Sequence, residues 1–194
     1  MNTLFSHVCV VTMDERMSVW TDAFVGVTDG KISYLSKHAP EEKPAQIIDA
    51  TGMVLMPGFI NCHTHLPMQL LRGYADDLKL QEWLNDYIFP REDRLDGRCV
   101  RAATTLAVAE CLKFGVTSVS DMYYFCDDIC DVFAKSGMKA NISRGTSMFL
   151  GDDFDFEKFP ACQELVALKN KWHNFDGGRI KIEASIHAEY TSTY

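Results

Sequence analysis

The nine residues PGFINCHTH, from Pro57 to His65, contain the most informative pattern in this chain. A short apolar run follows a Pro-Gly pair, is expected to be buried, and ends in a His-x-His motif. Side chains on a β-strand alternate between its faces, so His63 and His65 should share one face and Thr64 should lie on the other. Two neutral imidazoles on one face can bind a single ion of Zn²⁺ or a related transition metal. The alternative is a pair of ordinary polar residues at a strand end.

Composition limits the class of protein. The 194 residues are 47% hydrophobic and 24% charged, with a formal net charge of −8, which is typical of a globular chain of one domain or of one domain and part of another. No basic block and no long apolar run occur, so we expect neither a nucleic acid nor a membrane as partner. Seven irregularly spaced cysteines without a preceding signal peptide predict free thiols in a reducing cytoplasm.

Residues 1–56 are predicted to form a small β module without helices. The apolar runs Phe24–Val27 and Lys31–Leu35 flank Asp29-Gly30, which is a strong hairpin signal. Further short strands are expected at Val8–Val11, Ile47–Asp49 and Met53–Met56. Because this module has little apolar content of its own, we expect it to pack against the residues that follow.

From Pro57 onward the pattern changes to alternating strands and helices. Strands are predicted near residues 60, 118, 141 and 183, with a long polar connection from Pro67 to Lys79. Helices are predicted at Leu80–Ile88, Gly97–Phe114, Asp127–Lys135 and Ala161–Trp172, and an acidic, aromatic loop at Asp152–Phe159. Such alternation implies parallel strands. The predicted strands end in polar residues, as the strands of α/β barrels do at their active sites: His63 and His65, Asp121, Arg144 and His187.

These motifs together resemble the metal-dependent amidohydrolases. The resemblance is carried by Pro57–His65, by Leu71–Leu78 (LRGYADDL) and by Glu82-Trp83-Leu84, and it extends through Gly115-Val116-Thr117, Asp121-Met122-Tyr123 and His187–Thr191. Within that superfamily the chain is most similar to the 5′-methylthioadenosine/S-adenosylhomocysteine deaminases. The first motif marks the superfamily, and the block from Arg72 to Glu92 points to the adenosine-type deaminases.

The resemblance implies a fold, a metal and site residues. The α/β fold would be the N-terminal portion of a (β/α)₈ barrel, about four strands in residues 57–194, preceded in residues 1–56 by part of a small β-sandwich. His63 and His65 would bind Zn²⁺, or Fe²⁺ or another divalent ion. Glu92 would hold a ribose diol, His187 would contact the purine ring, and Arg144 would reach the distal end of the substrate.

Each predicted residue also has a structural alternative. Glu92 lies within Pro90–Arg94 and by itself would be a solvated surface charge. Arg144 fits a salt bridge at a strand end equally well. Asp121 is expected to bind nearby backbone or the surroundings of the metal site. The i, i+4 pair Cys126 and Cys130 lacks further Cys or His partners and is expected to fill the core.

The implied reaction is hydrolytic deamination of an adenosine-type nucleoside to its inosine form. The family's His-x-x-Glu motif and later metal-binding Asp are expected beyond Tyr194, so no catalytic residue is predicted within this chain and the fragment by itself is expected to be inactive. Glu189 replaces a family proline, and Met148–Lys158 lacks a second arginine, which disfavours S-adenosylhomocysteine as substrate. Two alternatives remain: a free-base deaminase or triazine hydrolase, and a non-catalytic half-barrel. Homo-oligomers or self-association through open barrel edges are expected.

Overall fold

A computed structural model of the chain describes residues 1–148 and 154–192. It divides into two compact units, Met1–Pro57 and Gly58–Tyr194. All seven cysteines, which lie within the described residues, are free thiols, as their spacing predicted.

The first unit is a single β-sheet. Its strands are β1 (Thr3–Val11), β2 (Val19–Thr28), β3 (Lys31–Ser36), β4 (Gln46–Asp49) and β5 (Val54–Leu55). The sheet order is β3-β2-β1-β4, and β5 pairs with β1 as well. Asp29 and Gly30 both have positive φ, at 49° and 74°, which is the geometry of a tight hairpin turn and confirms the predicted β2–β3 hairpin.

The second unit is built on four parallel strands. These are β6 (Phe59–Thr64), β7 (Val116–Tyr123), β8 (Lys139–Thr146) and β9 (Ile180–Ile186), in the order β6-β7-β8-β9. Helices α3 (Gly97–Lys113), α4 (Cys126–Ser136) and α5 (Pro160–Trp172) connect successive strands. The predicted parallel alternation is therefore confirmed, whereas closure into a barrel stays a prediction. The predicted loop at Asp152–Phe159 falls partly outside the described residues.

Helical connections between β6 and α3 are more extensive than the sequence predicted. A 3₁₀ helix (Leu66–Leu71) occupies the start of the predicted long polar connection. The helix predicted at Leu80–Ile88 is formed by α1 (Leu80–Glu82) and a π-helical segment (Trp83–Ile88), and it continues through α2 (Phe89–Glu92). Glu92 is consequently the last residue of a helical segment rather than part of a surface loop.

The core of the second unit lies between the sheet and helices α3 to α5. Ile129 and Phe133 of α4 pack in one cluster with Ile142 of β8 and Ile180 of β9, and all four are fully buried. Cys126 and Cys130 belong to the same cluster, which confirms their predicted packing role. Burial of these side chains supplies the main force that holds the strand ends at one edge of the sheet.

The start of β6 corrects one prediction. Phe59 and Ile60 were expected to be buried, but they are 56% and 69% exposed. The reason is that β6 is an edge strand whose only neighbour, among the described residues, is β7. At the preceding position, a side chain on Gly58 would overlap Thr117, so the close approach of the two strands requires glycine there. Self-association through such edges stays a prediction for sedimentation to test.

Candidate active site

His63 and His65 lie at the carboxyl end of β6, with their imidazole rings on the same side. The Nε2 atoms of His63 and His65 are 3.3 Å apart, and their ring centroids are 5.1 Å apart. Thr64 points to the opposite, buried face, where its hydroxyl contacts β7. The two-residue period of the strand thus places both histidines on one side, as the sequence predicted.

The orientation of His65 is fixed by a backbone contact. Its Nδ1 lies 2.6 Å from the carbonyl oxygen of Met122 in β7. A carbonyl only accepts hydrogen bonds, so Nδ1 must carry the ring proton and donate it. The neutral imidazole then presents the lone pair of Nε2 toward His63. This is the arrangement that metal-binding histidines generally show.

Asp121 anchors the motif from the buried face. Its Oδ1 accepts a hydrogen bond of 2.7 Å from the Thr64 hydroxyl and another of 2.7 Å from the Leu66 backbone N–H. The carboxyl is 1% exposed, and its second oxygen, Oδ2, is buried without a hydrogen-bond partner. Burial raises the pKa of Asp121 to about 6, against the opposing effect of the Thr64 hydrogen bond. The predicted structural role of Asp121 agrees with these contacts.

The raised pKa of Asp121 predicts a pH-dependent stability. Between about pH 4 and pH 6 the folded state keeps a proton that the unfolded state releases, so the free energy of unfolding falls as pH rises, by about 3 kcal/mol in total. Asp121→Asn removes this titration. Raising the pH from 4 to 7 should therefore destabilise the parent protein by about 2 kcal/mol more than Asp121→Asn, as measured by chemical unfolding. The exposed Asp86→Asn serves as control, and a parallel shift of all three proteins would contradict the prediction.

The two imidazole nitrogens fit a metal ion. Tetrahedral Zn²⁺ with Zn–N bonds of about 2.0–2.1 Å separates neighbouring nitrogens by about 3.3 Å. That separation equals the distance between the Nε2 atoms of His63 and His65. Within residues 1–148 and 154–192, no group of three or more His, Cys, Asp or Glu side chains could hold a metal. By themselves these two histidines could therefore supply only part of a ligand set.

Glu92 lies at the end of α2 and contacts β7. Its Oε1 accepts a hydrogen bond of 2.7 Å from the hydroxyl of Tyr123, which is 5% exposed. Burial of the carboxyl raises the pKa of Glu92, and burial together with this hydrogen bond raises the pKa of Tyr123. Glu92 is therefore a half-buried, hydrogen-bonded carboxylate. It is not the solvated surface charge that the sequence also allowed.

His187 follows the carboxyl end of β9. Its ring centroid lies 6.4 Å from that of His65, and its Nδ1 lies 2.8 Å from the Thr191 hydroxyl oxygen. Tyr190 packs edge-on against the ring at 6.0 Å. Burial lowers the pKa of His187, and the neighbouring imidazoles lower it further, so the neutral ring is favoured.

Arg144 on β8 makes three contacts with other described residues. Its Nε donates to Oε2 of Glu164 at 2.6 Å, its Nη1 donates to the carbonyl oxygen of Gly145, and its guanidinium lies 4.7 Å from the centre of the Tyr124 ring. The structure therefore contains the strand-end salt bridge that one of the two sequence interpretations predicted. Whether Arg144 also contacts substrate stays a prediction.

Most of the predicted site residues meet at two adjoining cavities. A small cavity of about 100 Å³ is lined by His65, Glu92, Arg144 and His187, together with aromatic side chains such as Trp83 and Tyr190. A larger cavity of about 880 Å³ adjoins it. Six residues line both: Phe89, Glu92, Tyr124, Arg144, Ser147 and His187. Of the five predicted residues, only His63 lines neither cavity.

Sequence reasoning missed three contributors to this site. Tyr123 orients Glu92, and the Met122 carbonyl orients His65. Glu164 pairs with Arg144. The Asp121-Met122-Tyr123 motif was noticed only as part of the family pattern, and nothing in the local sequence marks Tyr123 as the partner of a carboxylate 31 positions earlier. Glu164, on the exposed side of α5, carries no local signal at all.

The fold and the histidine pair define the class of protein. The amidohydrolase family model matches residues 54–194, and the chain belongs to that family. It is 34% identical over 191 residues to the 5-methylthioadenosine/S-adenosylhomocysteine deaminase of Thermoanaerobacter pseudethanolicus, covering 98% of this chain and 44% of that protein. It is 38% identical over 172 residues to the 5′-deoxyadenosine deaminase of Methanosphaera stadtmanae, covering 87% of this chain and 39% of that protein. The predicted resemblance is confirmed.

Solved structures give the same class. An adenosine deaminase from Xanthomonas campestris with bound zinc superposes with a TM-score of 0.85 at 31% identity, over 99% of this chain and 44% of that one. Atrazine chlorohydrolase from Arthrobacter aurescens, also with zinc, gives a TM-score of 0.85 at 20% identity, over 98% of this chain and 48% of that one, and supports the α/β fold alone. The chain spans less than half the length of the curated relatives it matches.

A search for transmembrane helices was negative: none of the helices in the described part of the chain combines the length and apolar character that crossing a membrane requires.

Proposed function

We propose that the intact protein is a metal-dependent aminohydrolase that converts an adenosine-type nucleoside to its inosine form. One observation carries the proposal: His65, Glu92 and His187 come from three distant parts of the chain and line one small cavity. A metal ligand, a carboxylate acceptor and a neutral imidazole around one cavity suit a purine nucleoside. The deaminases named among the relatives support the same class of substrate.

The metal would be held by His63 and His65, with the remaining ligands supplied from outside the described residues. Zinc is favoured because imidazole nitrogen suits it and because the adenosine deaminase relative contains it. Such an ion, when bound, acidifies a water molecule and so supplies a nucleophile near neutral pH. The acid that protonates the purine ring is proposed to lie in a His-x-x-Glu motif beyond Tyr194.

This chain's own residues would bind and orient the nucleoside. Glu92, half-buried and fixed by Tyr123, can accept both hydroxyls of a ribose diol. His187 is held by Thr191 and favours its neutral form, so it can hydrogen-bond a purine ring nitrogen. Met122, through its carbonyl, keeps the Nε2 lone pair of His65 directed at the metal position. Arg144 lies on the wall where the two cavities join.

A complete barrel and a β-sandwich in the intact protein are part of the same proposal. The four parallel strands β6 to β9 would be the first half of a (β/α)₈ barrel, and residues 1–56 would be part of a β-sandwich. The exposed Phe59 and Ile60 on β6 favour this arrangement, since further strands would cover them. The exposed side chains also favour the second candidate, a half-barrel that pairs with a complementary chain.

Zinc-loaded protein expressed from its complete reading frame tests the proposal. Incubation with 5′-methylthioadenosine or adenosine should give the inosine form, detected as a shift in ultraviolet absorbance with release of one ammonia per nucleoside. Dialysis against a chelator should abolish the turnover and added Zn²⁺ should restore it. A fully metal-loaded protein that leaves every adenine nucleoside unchanged would exclude the proposed function.

A further inference from the structure

The larger cavity has an unbalanced charge. Five carboxylates line it, and only two permanently charged basic side chains do so among the described residues: the acids are Glu92, Asp93, Asp127, Asp128 and Glu164, and the bases are Arg144 and Lys171. Apolar side chains, including Phe89, Leu95, Phe125 and Leu168, form the rest of its wall. A cavity with low-dielectric walls and an excess of one charge repels ligands of the same sign.

Both basic residues are already paired with acids. The Lys171 Nζ donates to both carboxylate oxygens of Asp127, at 2.7 and 2.9 Å. Arg144 donates its Nε to Glu164, and its side chain is only 15% exposed. A new anion in the cavity would therefore have to compete with a carboxylate for the guanidinium. It would also be repelled by Glu92 and Asp93, which form no ion pair among the described residues, whereas Asp128 is paired with Arg101.

The two cavities form one path for a ligand. They share six lining residues, and Glu92 is one of them. A nucleoside with its base at the small cavity and its ribose hydroxyls on Glu92 would extend its 5′ substituent into the larger cavity. The nature of that cavity then decides which 5′ substituents are accepted.

We propose that the site selects adenine nucleosides whose 5′ substituent is neutral or cationic and rejects those with a 5′ carboxylate or phosphate, because Glu164 neutralises Arg144. This inference rests on the proposed function, since it assumes that a nucleoside occupies the cavities. Glu164 is thereby a specificity-determining residue that acts through Arg144. The adjacent Tyr124 ring supports the guanidinium from its face and keeps it in reach of Glu164.

Equilibrium binding tests the selection without requiring turnover. Calorimetry on the complete, metal-free protein measures dissociation constants for 5′-methylthioadenosine (neutral), 5′-amino-5′-deoxyadenosine (cationic) and adenosine 5′-monophosphate (anionic). The anionic nucleotide is expected to bind at least about tenfold more weakly than the neutral nucleoside, and the cationic one at least as tightly. Glu164→Gln frees the guanidinium and should reduce the discrimination against the nucleotide about tenfold.

A matched control exists in the same unit. Arg179 donates its Nε to Asp176 at 2.7 Å and is 14% exposed, so the pair resembles Arg144–Glu164 but lines neither cavity. Asp176→Asn should leave all three dissociation constants unchanged. Because Glu164 is 53% exposed, its substitution is compatible with folding, and Glu164→Ala provides a second variant.

The outcomes separate this inference from the proposed function. Equal binding of the nucleotide and 5′-methylthioadenosine by the parent protein, or an unchanged ratio in the folded Glu164 variants, overturns the inference. The expected order of binding without any deamination supports the inference and overturns only the catalytic proposal. Failure of every adenine nucleoside to bind overturns both. If neither variant folds, the order of binding to the parent protein decides.

Discussion

Replacing His63 with asparagine is expected to remove tightly bound metal from the complete protein and to reduce the proposed deaminase activity by at least about a hundredfold. Loss of a residue that merely supports a metal ligand typically costs 10–100-fold, and loss of a ligand itself should cost more. His63 is suited to this test because it is exposed, and its ring nitrogen contacts only the Nε2 of His65 among the described residues. The asparagine side chain is too short to place a metal-binding atom where the Nε2 of His63 lies.

The measurement is metal content per chain after dialysis, together with thermal unfolding. His63→Asn should lose its metal while the metal-free forms of the variant and the parent unfold at similar temperatures. His38→Asn, which removes an exposed imidazole from the first unit, should retain both metal and activity. Stoichiometric, dialysis-resistant metal in His63→Asn would show that the histidine pair is not the metal site.

Replacing Glu92 with glutamine is expected to reduce kcat/KM for nucleosides by about a hundredfold, because a carboxylate accepts hydrogen bonds from both ribose hydroxyls more strongly than an amide does. Glutamine can still accept the hydrogen bond from Tyr123 through its remaining oxygen. Its amide NH₂ would then face the ribose diol, where an acceptor is needed. The fold around β7 should be retained.

The same variant distinguishes nucleosides from free bases as substrates. If the site acts on nucleosides, Glu92→Gln should impair turnover of adenosine or 5′-methylthioadenosine and leave any activity on adenine unaffected. Glu82→Gln, an exposed glutamate in the same helical stretch, is the control and should behave like the parent protein. Equal rates of nucleoside turnover in the parent and Glu92→Gln would remove Glu92 from the substrate site.

Patterns among residues close in sequence were sufficient to predict much of the fold. The Asp29-Gly30 turn and the alternation of strands with helices are both local, and each predicted strand and helix is present. The shared side of His63 and His65 follows from the period of an extended strand, which hardly depends on context. Burial was harder to predict: the apolar start of β6 resembles a core strand, but its exposure depends on how many neighbours the strand has.

By itself, then, the sequence determined the parallel α/β arrangement, the paired imidazoles and the family. The tertiary structure alone decided that Tyr123 holds Glu92 across 31 residues, that Asp121 anchors Thr64 across 57, and that Glu164 neutralises Arg144 across 20. The physical reason is that backbone geometry sets the direction of a side chain within an element, whereas its partners depend on how separate elements pack. Of these partners, Glu164 lines the larger cavity, where it forms the ion pair with Arg144.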